Sequence, residues 1–510
     1  MDATTTKYDF IIIGSGMGGL TSSVILSKHG YKVLILEKNH QIGGALQVFS
    51  RDKCIFDTGV HYIGGLDKGE NLYRLFQYLG IYDSLKLRSL DRHAFDVIRF
   101  EDGSSYEHGQ GYENFKGALI KVFPEEENAI HQFCSKIQEM CDSFPMYNIQ
   151  EQAENAYFEN PDILSLGAWD YLSSITENDR LKKVLLGSGP LYAGEVSSTP
   201  FYVVALILNS YIKGSYRLVD GGSQIAKQLV LRLRENGGSI LKHKEVTRAN
   251  YDENGTLISV TCSDNTTYEG TQFISNMHPN LTIDVFGKDK FRPAYRDRIQ
   301  KLKNTVSSFM VYFSLKEDSF PYFNNNFYDY YTDDIWNTVE YDKETWPQML
   351  YMCTPASSKS EEYAESICVM CYMSIEEVRE WENSFNTIAQ PDKRGQAYMD
   401  FKRAKEKLVI KRLESKYPNI REQIKNVYSS TPLTYKDYIG TPEGSLYGIK
   451  KDFRNPIASI VNTKTRISNL SLTGQNIVFH GILGATIGAF VTCFNFVDQK
   501  TLIEEINTYE

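Results

Sequence analysis

The beginning of the chain places a glycine-rich turn between two apolar segments. Tyr8–Ile13 has the composition of a buried strand, and Gly14-Ser15-Gly16-Met17-Gly18-Gly19 follows it and opens a helix. A second apolar strand, Lys32–Leu36, ends at Glu37. This order of strand, glycine turn, helix, strand and acid is the dinucleotide-binding pattern of a Rossmann-type α/β fold.

Each part of this pattern has a physical reason. Gly14 allows the tight turn, Gly16 lets backbone N–H groups approach a pyrophosphate at the positive end of the helix dipole, and Gly19 allows close packing. Glu37 lies 18 residues after Gly19, near the roughly 20 expected for a carboxylate that binds a ribose hydroxyl. The alternative, a glycine-rich surface turn, leaves Glu37 unexplained. The residues expected to bind the nucleotide are Gly14, Ser15, Gly16, Met17, Gly18, Gly19, Glu37 and Lys38.

Two further glycine turns favour a long cofactor. Gly43-Gly44-Ala45 follows Glu37, and Thr473-Gly474-Gln475-Asn476 precedes a glycine-rich helix that includes Gly484. Such turns can bring N–H groups against other parts of an extended dinucleotide such as FAD, although both can also be ordinary turns. There is no second dinucleotide fingerprint, which leaves open an external donor or a shared site for NAD(P)H. The additional expected FAD contacts are Gly43, Gly44, Ala45, Gly474, Gln475, Gly484 and Ala485.

Composition excludes some classes of protein. The 510 residues suit two or three domains, and a net charge of −9 without a basic run argues against a nucleic-acid partner. The eight cysteines show no disulfide framework, which favours a reducing, cytoplasmic location. The C-x-x-C pair, Cys368 and Cys371, lies in a predicted strand, Ser366–Met373, where positions three apart face opposite sides. No metal site is expected.

The apolar stretch 467–497 contains no charged residue and is long enough to suggest a membrane span. However, Gly481, Gly484 and Gly488 interrupt it, and the mean hydropathy of the chain is −0.37. We therefore predict a strand followed by a buried glycine-rich helix. The N-terminal segment, residues 1–7, is predicted to be a polar lead-in to the first strand and not a signal peptide.

Patterning outlines the remaining elements. Amphipathic helices are predicted at Asn128–Cys141 and Asp162–Ile175, and a helix at Gln224–Glu235 follows Gly221-Gly222-Ser223. Strands are predicted at 239–243, 257–262, 267–270, 273–275, 307–315 and 349–353, and a further helix at 395–416. We interpret residues 1–70, 214–285 and 440–510 as one discontinuous domain that binds FAD. Residues 71–213 and 286–439 are interpreted as a domain that binds the substrate.

Several further segments carry a family resemblance that spans most of the chain. They are Phe56-Asp57-Thr58-Gly59-Val60-His61-Tyr62-Ile63-Gly64, Gly221-Gly222-Ser223, Glu245-Val246, Ser275-Asn276, Thr431-Pro432-Leu433-Thr434, Asp437-Tyr438, Thr441-Pro442-Glu443-Gly444-Ser445 and Tyr447-Gly448. Together with the glycine turns they resemble the phytoene-desaturase and amine-oxidase superfamily of FAD enzymes. The form D-T-G-x-H-Y-I-G is similar to the retinol saturase and carotenoid isomerase branch.

The resemblance implies a Rossmann-type FAD-binding domain of the glutathione-reductase and amine-oxidase type, interleaved with an α+β substrate domain. It also places the backbone of Val246 at the adenine, and the Gly43-Gly44 loop and the C-terminal turn at the flavin. The chain departs from saturases at Leu218-Val219-Asp220, where a Tyr-Pro pair usually precedes the paired glycines. Substrate choice near this loop therefore cannot be copied from the family.

The resemblance predicts an FAD-dependent oxidoreductase that acts on a conjugated lipophilic polyene of the retinoid or carotenoid type, by saturation. Isomerisation without net redox change, desaturation, amine oxidation and a non-enzymatic prenyl-lipid chaperone are the alternatives. His61 and Tyr62 are candidate proton donors, although His61 can equally be structural, and Asp57 is expected to brace its turn or a cofactor hydroxyl. The aromatic run 322–336 either lines an apolar tunnel or a membrane-facing entrance, or is ordinary core or surface. The apolar segment Phe201–Leu208 is predicted to be a buried helix or a patch that meets lipid, since a lipophilic substrate would make shallow membrane contact useful.

Overall fold

The computed structural model describes residues 7–151, 161–391 and 394–510, so most of the predicted lead-in, residues 1–6, lies outside it. The strands are β1 (Tyr8–Ile13), β2 (Val33–Leu36), β3 (Val48–Arg51), β4 (Cys54–Asp57), β5 (Ile63–Gly64), β6 (Leu87–Ser89), β7 (Asp96–Phe100), β8 (Ser105–His108), β9 (Ser215–Leu218), β10 (Ser239–Leu241), β11 (Val246–Tyr251), β12 (Leu257–Cys262), β13 (Thr267–Ser275), β14 (Ser307–Leu315), β15 (Asn326–Tyr330), β16 (Met349–Cys353), β17 (Ser366–Met373), β18 (Ile424–Ser430) and β19 (Leu470–Leu472). The α-helices are α1 (Met17–Lys28), α2 (Asn71–Tyr78), α3 (Tyr112–Val122), α4 (Glu127–Asp142), α5 (Pro161–Leu164), α6 (Ala168–Ile175), α7 (Asp179–Leu185), α8 (Phe201–Ile212), α9 (Ser223–Glu235), α10 (Pro279–Phe286), α11 (Pro293–Lys301), α12 (Gly395–Glu414), α13 (Ile420–Gln423), α14 (Pro432–Ile439), α15 (Gly481–Cys493) and α16 (Gln499–Asn507).

The first sheet contains the glycine-rich turn. Strands β10, β2, β1, β13 and β19 run parallel in that order, with Ile12 between Ile35 and Ile274. The beginning of β13 pairs antiparallel with β12, and β12 pairs with β11. The predicted strands 267–270 and 273–275 are therefore one strand, because β13 serves both parts of the sheet.

Helices cover this sheet and bury its glycine-rich edge. The first eleven residues of α1 are buried, and α1 packs against α9 and α15. The apolar stretch 467–497 forms β19 and α15, as predicted. Within the described ranges, no helix has the length and apolar character needed to cross a bilayer.

The second sheet has the order β18-β14-β17-β16-β15-β7-β8, and only β15 and β7 pair in parallel. Strands β15 and β18 were not predicted, because buried polar residues such as Asn326 and Asp329 interrupt the apolar pattern of β15. Cys368 and Cys371 face different hydrophobic clusters, which confirms that they lie on opposite faces of β17.

One predicted helix and one predicted strand differ from the elements observed. The predicted helix 162–175 is divided into α5 and α6, because Gly167 adopts an extended conformation (φ −71°, ψ 138°) that ends one helix and begins the next. The predicted strand 239–243 ends at Leu241, before His243 adopts positive φ. Helix α8 is buried along almost its whole length, so Phe201–Leu208 is a buried helix and not a patch that meets lipid.

Candidate functional site

The glycine-rich turn is shaped by contacts that leave no room for side chains. Gly14 has a φ of 95°, a conformation that side chains disfavour. A Cβ on Gly19 would lie 2.1 Å from the carbonyl oxygen of Gly14. The residue at position 19 must therefore be glycine if α1 is to begin so soon after β1.

Three chain segments meet at this turn. A Cβ on Gly18 would lie 2.6 Å from the Cα of Gly474 and 2.7 Å from Oδ1 of Asn276. A Cβ on Gly44 would lie 3.1 Å from the Cα of Gly16. The turns predicted independently at 14–19, 43–44 and 474 thus form one assembly, which we call the glycine cradle, with Asn276 at its centre.

The cradle includes the first backbone N–H groups of α1, which can donate hydrogen bonds to a ligand. The residue that precedes this helix is Gly16, so no side chain caps the helix, and its first turn contains no acidic residue. The first N–H groups of an α-helix lack intrahelical partners and favour an anion. The cradle therefore fits the pyrophosphate of a dinucleotide.

Glu37 lies at the end of β2 beside the cradle and is 4% exposed. Its Oε2 accepts hydrogen bonds from the backbone N–H of Ser15 (2.9 Å) and from the Ser15 hydroxyl (2.6 Å). Its Oε1 accepts from the N–H of Asn39 (2.8 Å). These bonds fix the carboxylate against the turn, where a ribose hydroxyl would share it.

The other predicted nucleotide residues lie at different distances from the turn. Val246 begins β11 and is buried, and the N–H of Lys244 donates to the carbonyl of Glu37. Nζ of Lys38 instead donates to the carbonyl of Asp437 (2.9 Å), and burial lowers the pKa of Lys38. Met17 is buried in α1.

The structure places the C-terminal residues of the predicted set around α15. Gln475 is half-buried next to Gly474. Gly484 lies within α15, where a Cβ would come within 2.2 Å of the carbonyl oxygen of Phe479, and Ala485 is buried beside it. Glycine at position 484 is therefore explained by its close approach to the backbone of Phe479.

A cavity opens beside the cradle, between the two sheets. Its empty space is about 1120 Å³, open solvent at its mouth included. Ala45 and Gly59 line one side of it, and residues 479–483, where α15 begins, line another. Much of the remaining wall consists of apolar and tyrosine side chains, among them Tyr62, Leu206, Ile207, Tyr211, Met310, Tyr328, Tyr351, Met370, Tyr435, Ile439, Leu446 and Tyr447. None of the described residues in this wall carries a carboxylate, ammonium or guanidinium group.

His61 and Tyr62 both line the cavity, but their environments differ. Nδ1 of His61 is buried without a hydrogen-bond partner among the described residues, and burial, with the nearby charge of Arg217, lowers the pKa of His61 to about 4. The hydroxyl of Tyr62 donates to Oδ2 of Asp96 (3.0 Å) and lies 2.6 Å from the hydroxyl of Tyr328. Burial raises the pKa of Tyr62 well above its usual value.

Asp57 braces a neighbouring segment rather than its own turn. Its Oδ1 accepts a hydrogen bond from the N–H of Gly222 (2.6 Å), which ties the loop before His61 to the paired glycines. Burial raises the pKa of Asp57 to about 7. Of the aromatic run 322–336, Tyr328 lines the cavity, whereas Tyr330 and Trp336 lie in the core.

The sequence did not identify Asn276 or Asp96 as site residues, and it indicated Tyr328 only as part of an aromatic run that could line a tunnel. Asn276 directly follows β13, at the carboxyl end of a parallel strand, which is a position where ligands bind in α/β sheets. That position was a usable signal. Asp96 and Tyr328 meet because β7 and β15 pair in register, a long-range contact that has no local sequence signal.

Comparisons with known proteins agree with this architecture. A family model for flavin containing amine oxidoreductases matches residues 17–400. The chain is 24% identical to an all-trans-retinol 13,14-reductase of Danio rerio, over 97% of this chain and 86% of that protein. It is 24% identical to a chloroplastic prolycopene isomerase of Daucus carota, over 87% of this chain and 72% of that protein.

A solved structure shows the same fold. A putrescine oxidase bound to putrescine superposes with a TM-score of 0.63 at 14% identity, covering 99% of this chain and all of that one. The match to the family model covers more than half of the chain, and the cradle fits the nucleotide that this family binds. The chain therefore belongs to the flavin containing amine oxidoreductase family and is an FAD-dependent oxidoreductase.

Proposed function

We propose that this enzyme reduces one double bond of a conjugated lipophilic polyene of the retinoid or carotenoid type. The observation that carries the proposal is the cavity, whose apolar and tyrosine wall adjoins the Gly43-Gly44-Ala45 loop. A wall without charged groups suits a neutral lipophile. Such a ligand needs no charged partner, and its burial in the cavity removes apolar surface from water. The relatives named for retinol and prolycopene support the same class of substrate.

We propose that the cradle and Glu37 hold the nucleotide part of FAD, with Ala45 and the start of α15 beside the flavin. Bound FAD supplies hydride transfer, which leaves one proton to be delivered by the protein. The remaining tasks belong to this chain: the cavity wall excludes water and orients the polyene, and a side chain donates the proton. His61 is neutral at physiological pH and is a weak donor, so the proton is assigned to the side of the cavity where Tyr62 lies.

The domain division belongs to the same proposal. We propose that residues 1–70, 214–285 and 440–510 bind FAD, since β1, β2, β10, β13 and β19 of the first sheet come from them. Residues 71–213 and 286–439 would form the substrate domain, since they supply all strands of the second sheet.

Amine oxidation is the less favoured activity. A polyamine substrate carries ammonium groups at neutral pH, and a buried cation needs a carboxylate or an equivalent partner. The described residues of the cavity wall include no carboxylate. Isomerisation without net redox change is the second candidate, because a named prolycopene isomerase covers 87% of this chain.

The proposal is tested by product analysis under anaerobic conditions. The flavin of the purified enzyme is reduced chemically, mixed with all-trans retinol and with carotenoids, and the products are identified by mass. A gain of two hydrogen atoms supports saturation. An unchanged mass with a changed double-bond geometry would establish isomerisation. A polyene product that has lost two hydrogen atoms after reaction with the oxidised enzyme would establish desaturation.

The proposal also covers how the substrate reaches the cavity. A lipophilic polyene resides in a membrane, so we propose shallow peripheral contact between the enzyme and a bilayer. Flotation with neutral phosphatidylcholine vesicles tests this contact. Protein that stays at the bottom of the gradient would contradict it.

A further inference from the structure

A row of three hydrogen-bonded groups leads from the protein interior to the cavity. Asp96 begins β7 and is fully buried, at 0% exposure. The hydroxyl of Tyr62 lies 3.0 Å from Oδ2 of Asp96 and 2.6 Å from the hydroxyl of Tyr328. Both tyrosines line the cavity, whereas Asp96 lies behind them.

The position of Asp96 is fixed from its other side. Nδ2 of Asn326 donates to Oδ1 of Asp96 (2.8 Å), and Oδ1 of Asn326 accepts from Nη2 of Arg217 (2.9 Å) and from the hydroxyl of Tyr351 (3.1 Å). Asn326 therefore cannot exchange its amide and carbonyl groups without losing these three bonds. Only Oδ2 of Asp96 is directed to Tyr62.

The charged and titratable groups that face Asp96 come from several elements. They are Arg217 on β9, Tyr62 before β5, Tyr328 on β15, Tyr211 on α8 and His108, which pairs with Asp96 across β7 and β8. Burial lowers the pKa of His108 to about 4, so this ring is uncharged. Arg217 is the cation of the group, and it reaches Asp96 through Asn326.

We propose that Asp96, Tyr62 and Tyr328 form a proton relay that delivers the proton required for double-bond reduction. The relay rests on the proposed function. When Asp96 is protonated, its hydroxyl donates to Tyr62, Tyr62 donates to Tyr328, and the proton of Tyr328 is directed into the cavity. When Asp96 is ionised, every bond reverses and Tyr62 donates to the carboxylate.

The proton balance of the relay is complete. Bound reduced flavin would supply the hydride for a C–H bond at one carbon of the double bond, and the proton of Tyr328 would form the C–H bond at its neighbour. The O–H bond of Tyr328 breaks and is restored by the proton of Tyr62, which is restored by that of Asp96. The relay ends with an Asp96 carboxylate, which regains a proton from solvent before the next turnover.

The ionisation of Asp96 suits this role. Burial raises the pKa of Asp96 to about 7, against the opposing effects of Asn326, Tyr62 and Arg217, so the protonated form is available at neutral pH. Burial also raises the pKa of Tyr328 well above its usual value. A free phenolate is therefore costly, which favours a proton that moves along the whole row over one that leaves Tyr328 alone.

Three variants test the relay in the complete flavin-loaded enzyme. Asp96→Asn keeps the bond to Asn326 but has no acidic proton, and Tyr328→Phe removes the terminal hydroxyl. Tyr330→Phe is the control, because this buried hydroxyl on the same strand donates to the carbonyl of Gly187 and is not part of the row. The measurements are the single-turnover rate of product formation across neutral pH and infrared difference spectra of the protonated carboxyl.

In the native enzyme the rate should fall as pH rises through about 7. Asp96→Asn and Tyr328→Phe should each slow product formation at acidic pH by roughly a hundredfold, and Asp96→Asn should abolish the pH dependence. Tyr330→Phe should keep both the rate and its pH dependence. Asp57 and Asp96 both have a pKa of about 7, so two carboxyl contributions should titrate near neutral pH in the native enzyme. Asp96→Asn alone among the three should lose one of them.

The outcomes separate the relay from the proposed function. If the native enzyme yields saturated product while Asp96→Asn keeps its rate and pH dependence, the relay is wrong and the function stands. If the native enzyme yields no saturated product, the function fails. If Asp96→Asn removes no carboxyl contribution that titrates near neutral pH, the relay is contradicted without reference to activity.

Discussion

The glycine cradle and the cavity are neighbours that are built in opposite ways. The cradle is shaped by missing side chains, since Gly18, Gly19 and Gly474 lie against backbone or Asn276 at distances that exclude a Cβ. The cavity is shaped by large side chains, and some of their hydroxyl groups are hydrogen-bonded behind its wall. The hydroxyl of Tyr62, for example, bonds to the hydroxyl of Tyr328 and to the carboxyl of Asp96. In the proposed function, the first region would bind the cofactor and the second would control the chemistry on the substrate.

This difference predicts how each region responds to substitution. Additional atoms in the cradle should remove the cofactor, because backbone cannot move away without opening the sheet. Loss of a single oxygen from the cavity should leave the cofactor bound and affect only rates and pH dependence. Substitutions that separate cofactor content from turnover therefore test the comparison.

The largest effect is expected for Gly19→Ala. Its Cβ would lie 2.1 Å from the carbonyl oxygen of Gly14, so the turn must open and the start of α1 must shift. We expect loss of bound FAD, measured as flavin absorbance per protein after purification. Gly117→Ala is the control, because nothing lies within 4 Å of its Cβ, and it should retain full flavin content. A yellow Gly19→Ala protein with native flavin content would contradict the cradle.

Tyr62→Phe should produce the next largest effect, on turnover alone. It removes the hydroxyl that bridges Asp96 and Tyr328, so the rate of polyene reduction should fall by about a hundredfold. Flavin content should be unchanged. His61→Ala should have a smaller effect on the rate, because a ring with a pKa of about 4 is already neutral. An equal or larger loss in His61→Ala would reverse this assignment.

Glu37→Gln should weaken FAD binding without preventing it. The substitution replaces one carboxylate oxygen by an amide NH2 group, although Ser15 and Asn39 donate to both oxygens. One lost acceptor costs about 1 to 2 kcal/mol, so the dissociation constant of FAD should rise by roughly five- to thirtyfold. Titration of the apoprotein with FAD, followed by flavin fluorescence, measures this change. Unaltered affinity would show that Glu37 only braces the turn.

The smallest effect is expected for the pH dependence of stability in Asp57→Asn. Burial raises the pKa of Asp57 from 3.8 to about 7, so its contribution to stability is complete below the lower value and is lost as pH rises to the higher one. Asp57→Asn should remove this part of the decline in stability, which amounts to about 1.4 kcal/mol for each pH unit between the two values. Thermal unfolding at several pH values measures it, and parallel curves for the two proteins would contradict the assignment.

The cradle was largely predictable from sequence and the cavity was not, for a physical reason. The spacing from Gly14 to Glu37 reflects one local β-α-β unit, so its meaning is contained in consecutive residues. Asn276 was missed, although its place at the end of a parallel strand was informative. Asp96 and Tyr328 are separated by more than 200 residues in the sequence, and only the register of β7 and β15 brings them together.

The cavity also shows where residue type alone misleads. His61 was an attractive proton donor because its ordinary pKa lies near neutrality, but burial and Arg217 lower that pKa. Asp96 was unremarkable in sequence, and burial brings its pKa close to neutrality instead. Desolvation is set by the tertiary structure and reverses the roles that the two residue types suggest.

The most direct test of the account is whether the polyene itself reoxidises the flavin. The flavin of the native enzyme is reduced under anaerobic conditions and mixed rapidly with retinol or a carotenoid, while the absorbance of oxidised flavin is followed. We expect oxidised flavin to reappear at a rate that saturates with polyene concentration. One flavin should be oxidised for each molecule of saturated product formed. Flavin that stays reduced while the polyene is converted, or while it is left unchanged, would contradict it.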